Sequence, residues 1–351
     1  MNQPALTDPL VSIVIPVYNG EKHLRATLES VLNQTYRNIE VVVVNDLSTD
    51  GTRQIIDSIV QDDFRLVAVH KPINEGAAKA RATGFAAATG ELITFIDGDD
   101  VFLPNAIETL LGVYLETGAD ISMAGYLHCD EQLHPFPVQP FPIQSVDGIA
   151  QYSHDQMLEL FLVAFPAWRH NNNPATAYCK LFRREVIGSI DWGVTDFRLS
   201  EDLVFSLVTF AAAQNAAVTN EIILKYRYHN QGKSRVENRV FQFDGKEISA
   251  LEFCREFADL ATRLLPKQFA PAIANRYLTM CSYYGAIDTG FVATLAVVCQ
   301  EQNAIIAAQN QTIEKLQKQI SDILNSRTWK AGQIATGPAR TVRRIAGQPP
   351  R

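Results

Sequence analysis

Glu91-Leu92-Ile93-Thr94-Phe95-Ile96-Asp97-Gly98-Asp99-Asp100 decides how this chain is read. Ile93 to Ile96 is an apolar, β-favouring run that stops at three carboxylates and a glycine. A buried strand ending in clustered acids presents them at its carboxyl end, the edge of an open α/β sheet where ligands bind. Asp97 and Asp99 are two apart, so on an extended chain both project to one side. Two hard oxygen donors on one side suit a divalent cation that keeps places for water and substrate phosphate. Asp100 points elsewhere if the strand continues. Taken alone, the stretch reads at least as well as a solvated acidic turn, with Asp-Gly supplying the bend. A calcium loop would use Asp97, Asp99 and Glu108, but Val101, Phe102 and Pro104 stand where that loop needs a ligand, a glycine and open backbone.

Upstream, three more apolar runs precede this one. Val11-Ser12-Ile13-Val14-Ile15 is closed by Pro16, Val41-Val42-Val43-Val44 ends at Asn45-Asp46, and Arg65 to His70 forms a third. Between them, Glu21 to Leu32 has helical spacing at Leu24, Leu28, Val31 and Leu32, and Gly51 leads into a helix carrying Ile55, Ile56 and Ile59. Asn74-Glu75-Gly76 opens an Ala-rich helix, Ala77 to Ala88, ended by Gly90. Pro104 fits the first turn of a helix from Asn105 to Thr117. This alternation predicts an α/β protein with a doubly wound, mainly parallel sheet and helices on both faces. Parallel strands share a carboxyl edge, so Tyr18, Asn19, Asp46, Asp97 and Asp99 converge on one crevice. No GxGxxG follows the first strand and no GxxxxGK[ST] occurs, which argues against a dinucleotide dehydrogenase and a P-loop NTPase. An acidic edge can hold a diphosphate only if a metal ion offsets the repulsion.

The 351 residues suffice for one large core or two domains, and a hydrophobic content of 47% suits globular folding. A net charge of −7 and a pI near 5.6 argue against general nucleic-acid binding. Five scattered cysteines without a CxxC pair suit a reducing compartment. Met1 to Pro9 has no basic n-region and no apolar core, so no signal peptide is expected. No apolar run approaches the ~20 residues needed to cross a bilayer. The expected location is the cytosol, at most on a membrane face.

Val11-Ser12-Ile13-Val14-Ile15-Pro16-Val17-Tyr18-Asn19, Asn45-Asp46-Leu47-Ser48-Thr49-Asp50-Gly51-Thr52, Ala80-Arg81-Ala82-Thr83-Gly84 and Phe95-Ile96-Asp97-Gly98-Asp99-Asp100 together resemble the family 2 glycosyltransferases, inverting enzymes of GT-A fold. The order and spacing of these four motifs match over about residues 10–110, and more weakly to about 235. The resemblance implies that Pro16, Tyr18 and Asn19 line a nucleoside pocket and that Asp46 bonds the base, most often uracil. It implies that Arg81 lies near the diphosphate, Asp97 by ribose and metal, and that Asp99 ligates the metal, Mn²⁺ or Mg²⁺. Asn45, Leu47 and Ala82 depart from the common Asp, Gly and Asn of the family. Read without the family, Tyr18 and Asn19 form a turn, Asp46 caps a helix and Arg81 is a solvated helix residue.

Downstream, Ala119 to Cys129 reads as a strand, His128 to Pro142 as an irregular loop, Met157 to Val163 as helical and Trp168 to Pro174 as a polar loop. Cys179 to Glu185 resembles the family segment that precedes the acceptor-side helix. Ser200-Glu201-Asp202 precedes an apolar helix carrying Leu203, Phe205, Leu207, Val208 and Phe210, with Ser200 as its cap. The family's Glu-Asp pair at this place implies Asp202 as general base and Glu201 as a contact for the acceptor hydroxyl. After a strand from Ala217 to Leu224, Tyr226 to Ser234 resembles a segment folding over the diphosphate. His229 there is either a metal or phosphate contact or an ordinary strand-end histidine, and Lys233 and Ser234 suit a mobile lid.

From Val240 to Gly285 the pattern is helical, broken at Pro266 and Pro271. Ile306, Ile313 and Ile320 recur every seven residues, which reads as a short coiled coil for self-association over 299–325 or as a single amphipathic helix. Beyond Asn325, six basic residues and no acid could rest on an anionic membrane surface or stay solvated. The domains expected are 1–235 for nucleotide-sugar binding and catalysis, 236–290 for a helical extension, 291–325 for the heptad segment and 326–351 for the basic tail. The function expected is metal-dependent, inverting transfer from a nucleotide sugar, UDP-linked first, to a saccharide or lipid-linked acceptor. The alternative is a non-catalytic nucleotide-sugar-binding or scaffold subunit. A nucleotidyltransferase would need a basic, glycine-rich loop, which Val17-Tyr18-Asn19-Gly20 is not.

Overall fold

The computed structural model describes residues 8–136, 148–163, 175–195, 201–228, 241–243 and 246–284. The first seven elements are β1 (Val11–Val17), α1 (Leu24–Leu32), β2 (Ile39–Asn45), α2 (Thr52–Val60), β3 (Leu66–His70), α3 (Ala77–Ala87) and β4 (Leu92–Phe95). The four strands lie in the order β3-β2-β1-β4, and each adjacent pair is parallel. Alternation along the strands feeds both faces. Val11, Ile13, Ile15 and Val17, with Val41 and Val43, share a core cluster with Leu24, Leu28 and Val31 of α1 and Ile56 of α2. On the other face α3 presses so close that a Cβ on Gly84 would lie 2.3 Å from Val14 Cγ1 and 3.1 Å from Val44 Cγ2. Two steps of the chain in one direction put α1 and α2 on one face, and the return to β4 puts α3 on the other, as right-handed crossovers require.

The next elements are β5 (Val101–Phe102), α4 (Ala106–Thr117), β6 (Ile121–Cys129), β7 (Ile149–Ser153), α5 (His154–Val163), β8 (Lys180–Arg183), α6 (Arg184–Ser189), α7 (Glu201–Ala212) and β9 (Asn215–Arg227). They extend the sheet to β3-β2-β1-β4-β8-β6-β9-β5, with β7 also on β9. Here the expected parallel character ends. β8 inserts antiparallel to both β4 and β6, β6 and β9 are parallel, and β5 and β7 run antiparallel to β9. The sheet is therefore parallel over its first four strands and mixed beyond them, and the α/β architecture with helices on both faces stands.

A hairpin of β10 (Phe241–Phe243) and β11 (Lys246–Ile248) leads to α8 (Ala250–Leu264). Ser249 and Glu252 cap α8 reciprocally, each side chain accepting the other's backbone N–H. Its buried stripe is Phe253, Cys254, Phe257, Ala258, Leu260 and Ala261. Pro266 follows the end of α8, and Pro271 sits in the first turn of α9 (Ala270–Tyr284), where the lost N–H costs nothing. The Arg276 guanidinium of α9 stacks 5.2 Å from the Phe161 ring of α5. All the described residues fall in one compact unit, within 1–289. The heptad segment, the basic tail, the loop at 168–174, Ser200, His229, Lys233 and Ser234 lie outside the described residues. Among the described residues no helix is long and apolar enough to cross a membrane.

Candidate active site

The carboxyl ends of β1 and β2 are laced together by their turns. Asn19, at φ 53°, donates its N–H to Ser48 Oγ at 2.9 Å, and its Oδ1 accepts the Thr49 N–H at 2.8 Å. Pro16 is buried in β1 opposite Val44, beyond the last β1–β4 pair at Val14, while Tyr18 is left 45% exposed on the rim. Asn45, where the family commonly has Asp, uses both ends of its amide. Its Oδ1 accepts the Ser48 N–H at 2.9 Å, and its Nδ2 donates to His70 Nδ1 at 3.2 Å while His70 Nε2–H donates to Asp57 at 2.9 Å. A carboxylate could not donate to that ring nitrogen. Leu47, where the family has Gly, holds φ 60°.

Asp46 is buried and heavily used. Its Oδ1 accepts from Lys71 Nζ at 2.8 Å and from the Glu75 N–H at 3.1 Å, and its Oδ2 from the Gly76 N–H at 2.7 Å. The carboxylate therefore anchors the loop that opens α3, with the buried Lys71 as its counter-ion.

The acidic run departs from the extended geometry expected for it. β4 stops at Phe95, and residues 97–100 turn, with the Asp100 N–H donating to Asp97 O at 3.2 Å. A Cβ on Gly98 would meet Val17 at 3.0 Å, so the turn lies flat against the end of β1. Asp100 is fully buried, and its Oδ1 accepts the Arg227 N–H at 2.8 Å. Arg227 Nε donates to Asp99 O at 2.8 Å, and its Nη1 donates to Glu131 O. One arginine thus fastens the turn to the end of β9 and to the loop after β6. Burial, with Asp99 and Asp97 nearby, raises the Asp100 carboxyl well above the ordinary range. Tyr178 stacks on Tyr226 at 5.5 Å, with Tyr126 edge-on to both, and burial beside these acids raises all three phenols.

Arg81 joins the two halves of the site. It is 2% exposed, which excludes the solvated alternative. Its Nη2 donates to Asp97 Oδ1 at 2.9 Å, and its Nη1 lies 2.8 Å from Asp202 Oδ1 and 3.6 Å from Glu201 Oε1. The Asp202 contact is an ion pair without hydrogen-bond geometry, and that buried oxygen has no hydrogen-bond donor among the described residues. Burial, opposed by Arg81 and reinforced by Asp202 and Asp99, raises Asp97; burial and Asp202 raise Glu201. The structure thus brings Arg81, Asp97, Glu201 and Asp202 together. Asp46 and Asn19 serve the β1–β2 end of the same strand edge.

Lys180, on β8, carried no role in the sequence reading. It is 1% exposed, and its Nζ donates to the carbonyl of Thr176 and, at 3.2 Å, to Thr176 Oγ1. Ser206 Oγ, one turn beyond Asp202 on α7, donates to the same carbonyl at 3.2 Å. Two donors from different elements on one oxygen hold α7 against β8. Arg227, Lys71 and Lys180 were missed because a cation's burial depends on strand pairings that local pattern does not encode.

Among the described residues, no three His, Cys, Asp or Glu side chains are grouped to hold a metal ion. The acids present still fit one that takes its remaining ligands from water and a diphosphate. Asp97 and Asp99 are oxygen donors on one turn, and their mutual repulsion contributes to the raised Asp97, a strain that a cation would relieve.

The family model for glycosyl transferase family 2 matches residues 12–190, just over half the chain. Glycosyltransferase GlyG of Streptococcus pneumoniae is 41% identical over 122 residues, 35% of this chain and 40% of that protein. The putative teichuronic acid biosynthesis glycosyltransferase TuaG of Bacillus subtilis is 36% identical over 118 residues, 34% of this chain and 47% of that protein. The chain thus spans under half the length of each of these two relatives. Residues 1–349 of S. aureus TarS, solved in complex with UDP-GlcNAc, share the fold at a TM-score of 0.59 and 19% identity, covering 78% of this chain and 73% of that one. With three motifs at strand ends and a fourth on α3, a mixed α/β sheet and a matching family model, this chain belongs to glycosyltransferase family 2.

Proposed function

We propose that this chain transfers a glycosyl group from a nucleotide sugar, a UDP-sugar first among candidates, to a hydroxyl of a saccharide or glycolipid acceptor in surface polysaccharide synthesis. Family membership supports the reaction class, the UDP-GlcNAc held by TarS supports the donor class, and the name of TuaG supports the polysaccharide setting. The observation that carries the reading is the Asp202 carboxylate, held by the buried Arg81 that also binds Asp97 and with 27% of its side chain still exposed.

In this reading Asp202 takes the proton of the acceptor hydroxyl as that oxygen attacks the anomeric carbon. The bond from that carbon to the diphosphate oxygen breaks on the opposite face, so configuration inverts without a covalent enzyme intermediate. Glu201, raised by burial, holds its proton at higher pH than an ordinary glutamate and can donate a hydrogen bond to the acceptor. Arg81 keeps Asp202 apart from Asp97, and Arg227 fixes the turn that carries Asp99. Mn²⁺ or Mg²⁺ on Asp99 and Asp97 would offset charge on the departing diphosphate. Residues 1–235 form the catalytic part, the heptad at 299–325 serves self-association, and the basic tail at 326–351 contacts an anionic membrane face.

A thermal-shift screen of nucleotide sugars with and without Mn²⁺ tests this proposal, since a ligand that binds only the folded state raises apparent stability. At least one donor should raise Tm, Mn²⁺ should add to the shift, and Asp99→Asn should remove the Mn²⁺ increment. A screen in which no nucleotide sugar moves Tm, or in which Asp99→Asn keeps the increment, would contradict it.

A further inference from the structure

Past the carboxyl ends of β6 and β9 lies a cavity of ≈ 260 Å³ lined by Asp130, Glu131, Gln132, Phe136 and Tyr228. Phe136 and Tyr228 keep 43% and 40% of their surface exposed, although each is fixed by its backbone. The Tyr228 N–H donates to Cys129 O at 2.8 Å and the Phe136 N–H to His128 O at 2.7 Å. Two open rings held in one cavity offer apolar contact that a ligand can complete.

The polar lining divides by role. Asp130 builds the loop: its Oδ1 accepts the N–H groups of Gln132 and His134, each at 2.9 Å, and its Oδ2 lies 3.1 Å from His134 Nδ1. Glu131 pairs with Lys22 at 2.6 Å. The side-chain amide of Gln132 and the hydroxyl of Tyr228 have no such partner among the described residues. Arg227 connects the cavity to the acidic turn, since its guanidinium donates both to Asp99 O and to Glu131 O. The cavity is therefore joined through one arginine to the turn that carries Asp99.

Rings with an adjacent amide, hydroxyl and carboxylates match one ligand chemistry closely. A pyranose has an apolar C–H face that stacks on a ring and a rim of hydroxyls that bond amides and acids. A phosphate-bearing ligand would meet the Asp130 carboxylate, and the nearby Lys22 ammonium is already engaged by Glu131. The volume falls just below the ~300–1,000 Å³ of drug-sized ligand sites, which suits a single sugar ring. We infer that this cavity is a saccharide subsite, holding one sugar unit of the acceptor by stacking on Phe136 and Tyr228 and by hydrogen bonds to Gln132. Its assignment to the acceptor rests on the glycosyl-transfer reading above; its binding of a sugar does not.

Saturation-transfer NMR on the full chain, with methyl glycosides of glucose, galactose, mannose, N-acetylglucosamine and rhamnose and with UDP as internal probe, tests the inference. At least one glycoside should receive saturation, falling fivefold or more in Phe136→Ala and Tyr228→Ala and in part in Tyr228→Phe, with the UDP signal unchanged in Phe136→Ala. No glycoside signal from the unmodified chain, or one that survives both alanine variants, would overturn the subsite. If an alanine variant loses the glycoside and UDP signals together, Gln132→Ala, an exposed change, decides: the glycoside signal falls if the subsite is real and holds if it is not. A glycoside signal without a UDP signal in the unmodified chain would count against the donor reading and leave the subsite standing.

Discussion

Leu47 carries a left-handed backbone, φ 60°, with 44% of its surface exposed. A branched side chain pays for that conformation with about 1–3 kcal/mol of strain, which glycine avoids at some entropic cost. Leu47→Gly should therefore leave stability unchanged or raise it by up to about 1 kcal/mol in urea denaturation. Loss of more than that would mean the leucine side chain packs for stability. Arg81 is the opposite case, a buried cation among three carboxylates. Arg81→Met should cost about 3–5 kcal/mol at pH 7, the usual result of stripping a buried charge of its partner. Part of that loss should return at pH 5. The folded-state carboxyls of Asp97 and Glu201 are raised, so their contribution is present at low pH and is lost as pH rises through those values. A loss of equal size at both pH values would contradict this. Residue types exposed the cluster of acids, but not that Asp100 is a buried anchor or that Asp46 pairs with Lys71, because both depend on partners brought from elsewhere in the chain.

At the scale of elements, the strands that sequence reveals best are those with buried neighbours on both sides. Val41 to Val44 is a continuous apolar run because β2 lies between β1 and β3 and packs on both faces. The two residues of β5 and the weakly apolar Ile149-Ala150-Gln151-Tyr152-Ser153 of β7 have no such signature; their pairing with β9 makes them strands. β8 is short and antiparallel between β4 and β6, and its Lys180 is the element's unusual feature. Burial depresses the Lys180 ammonium from 10.5 to about 7, with Cys179 and Asp202 acting the other way. Below pH 7 both folded and unfolded chains hold that proton, and the folded state bears the full cost of burying it. Between about 7 and 10.5 the unfolded chain keeps a proton that the folded state has released, so stability rises with pH. Urea midpoints at pH 6.5 and 9 should show the unmodified chain gaining stability relative to Lys180→Met. Parallel pH dependence in the two proteins would show that Lys180 does not titrate in this way.

In the whole molecule, the two halves of the sheet do different work. The parallel half brings the turns after β1, β2 and β4 to one edge, a convergence that alternating strands and helices make readable in sequence. The mixed half brings α7 and the end of β9 against that edge. Sequence could not give this, since antiparallel insertion of β8 depends on long-range register such as Met123 opposite Lys180. The resemblance named Asp202 without placing it, and Arg81 is the contact by which the structure joins it to Asp97. The central claim is that this joined cluster performs transfer with Asp202 as its base. Nucleoside diphosphate release from the donor that gives the largest thermal shift, compared between the unmodified chain and Asp202→Asn, tests it most directly. The rate should fall by about 10²–10⁴, the usual worth of a general base, with the donor's thermal shift retained. Release at the unmodified rate, or a loss of donor binding equal to the loss of rate, would contradict it.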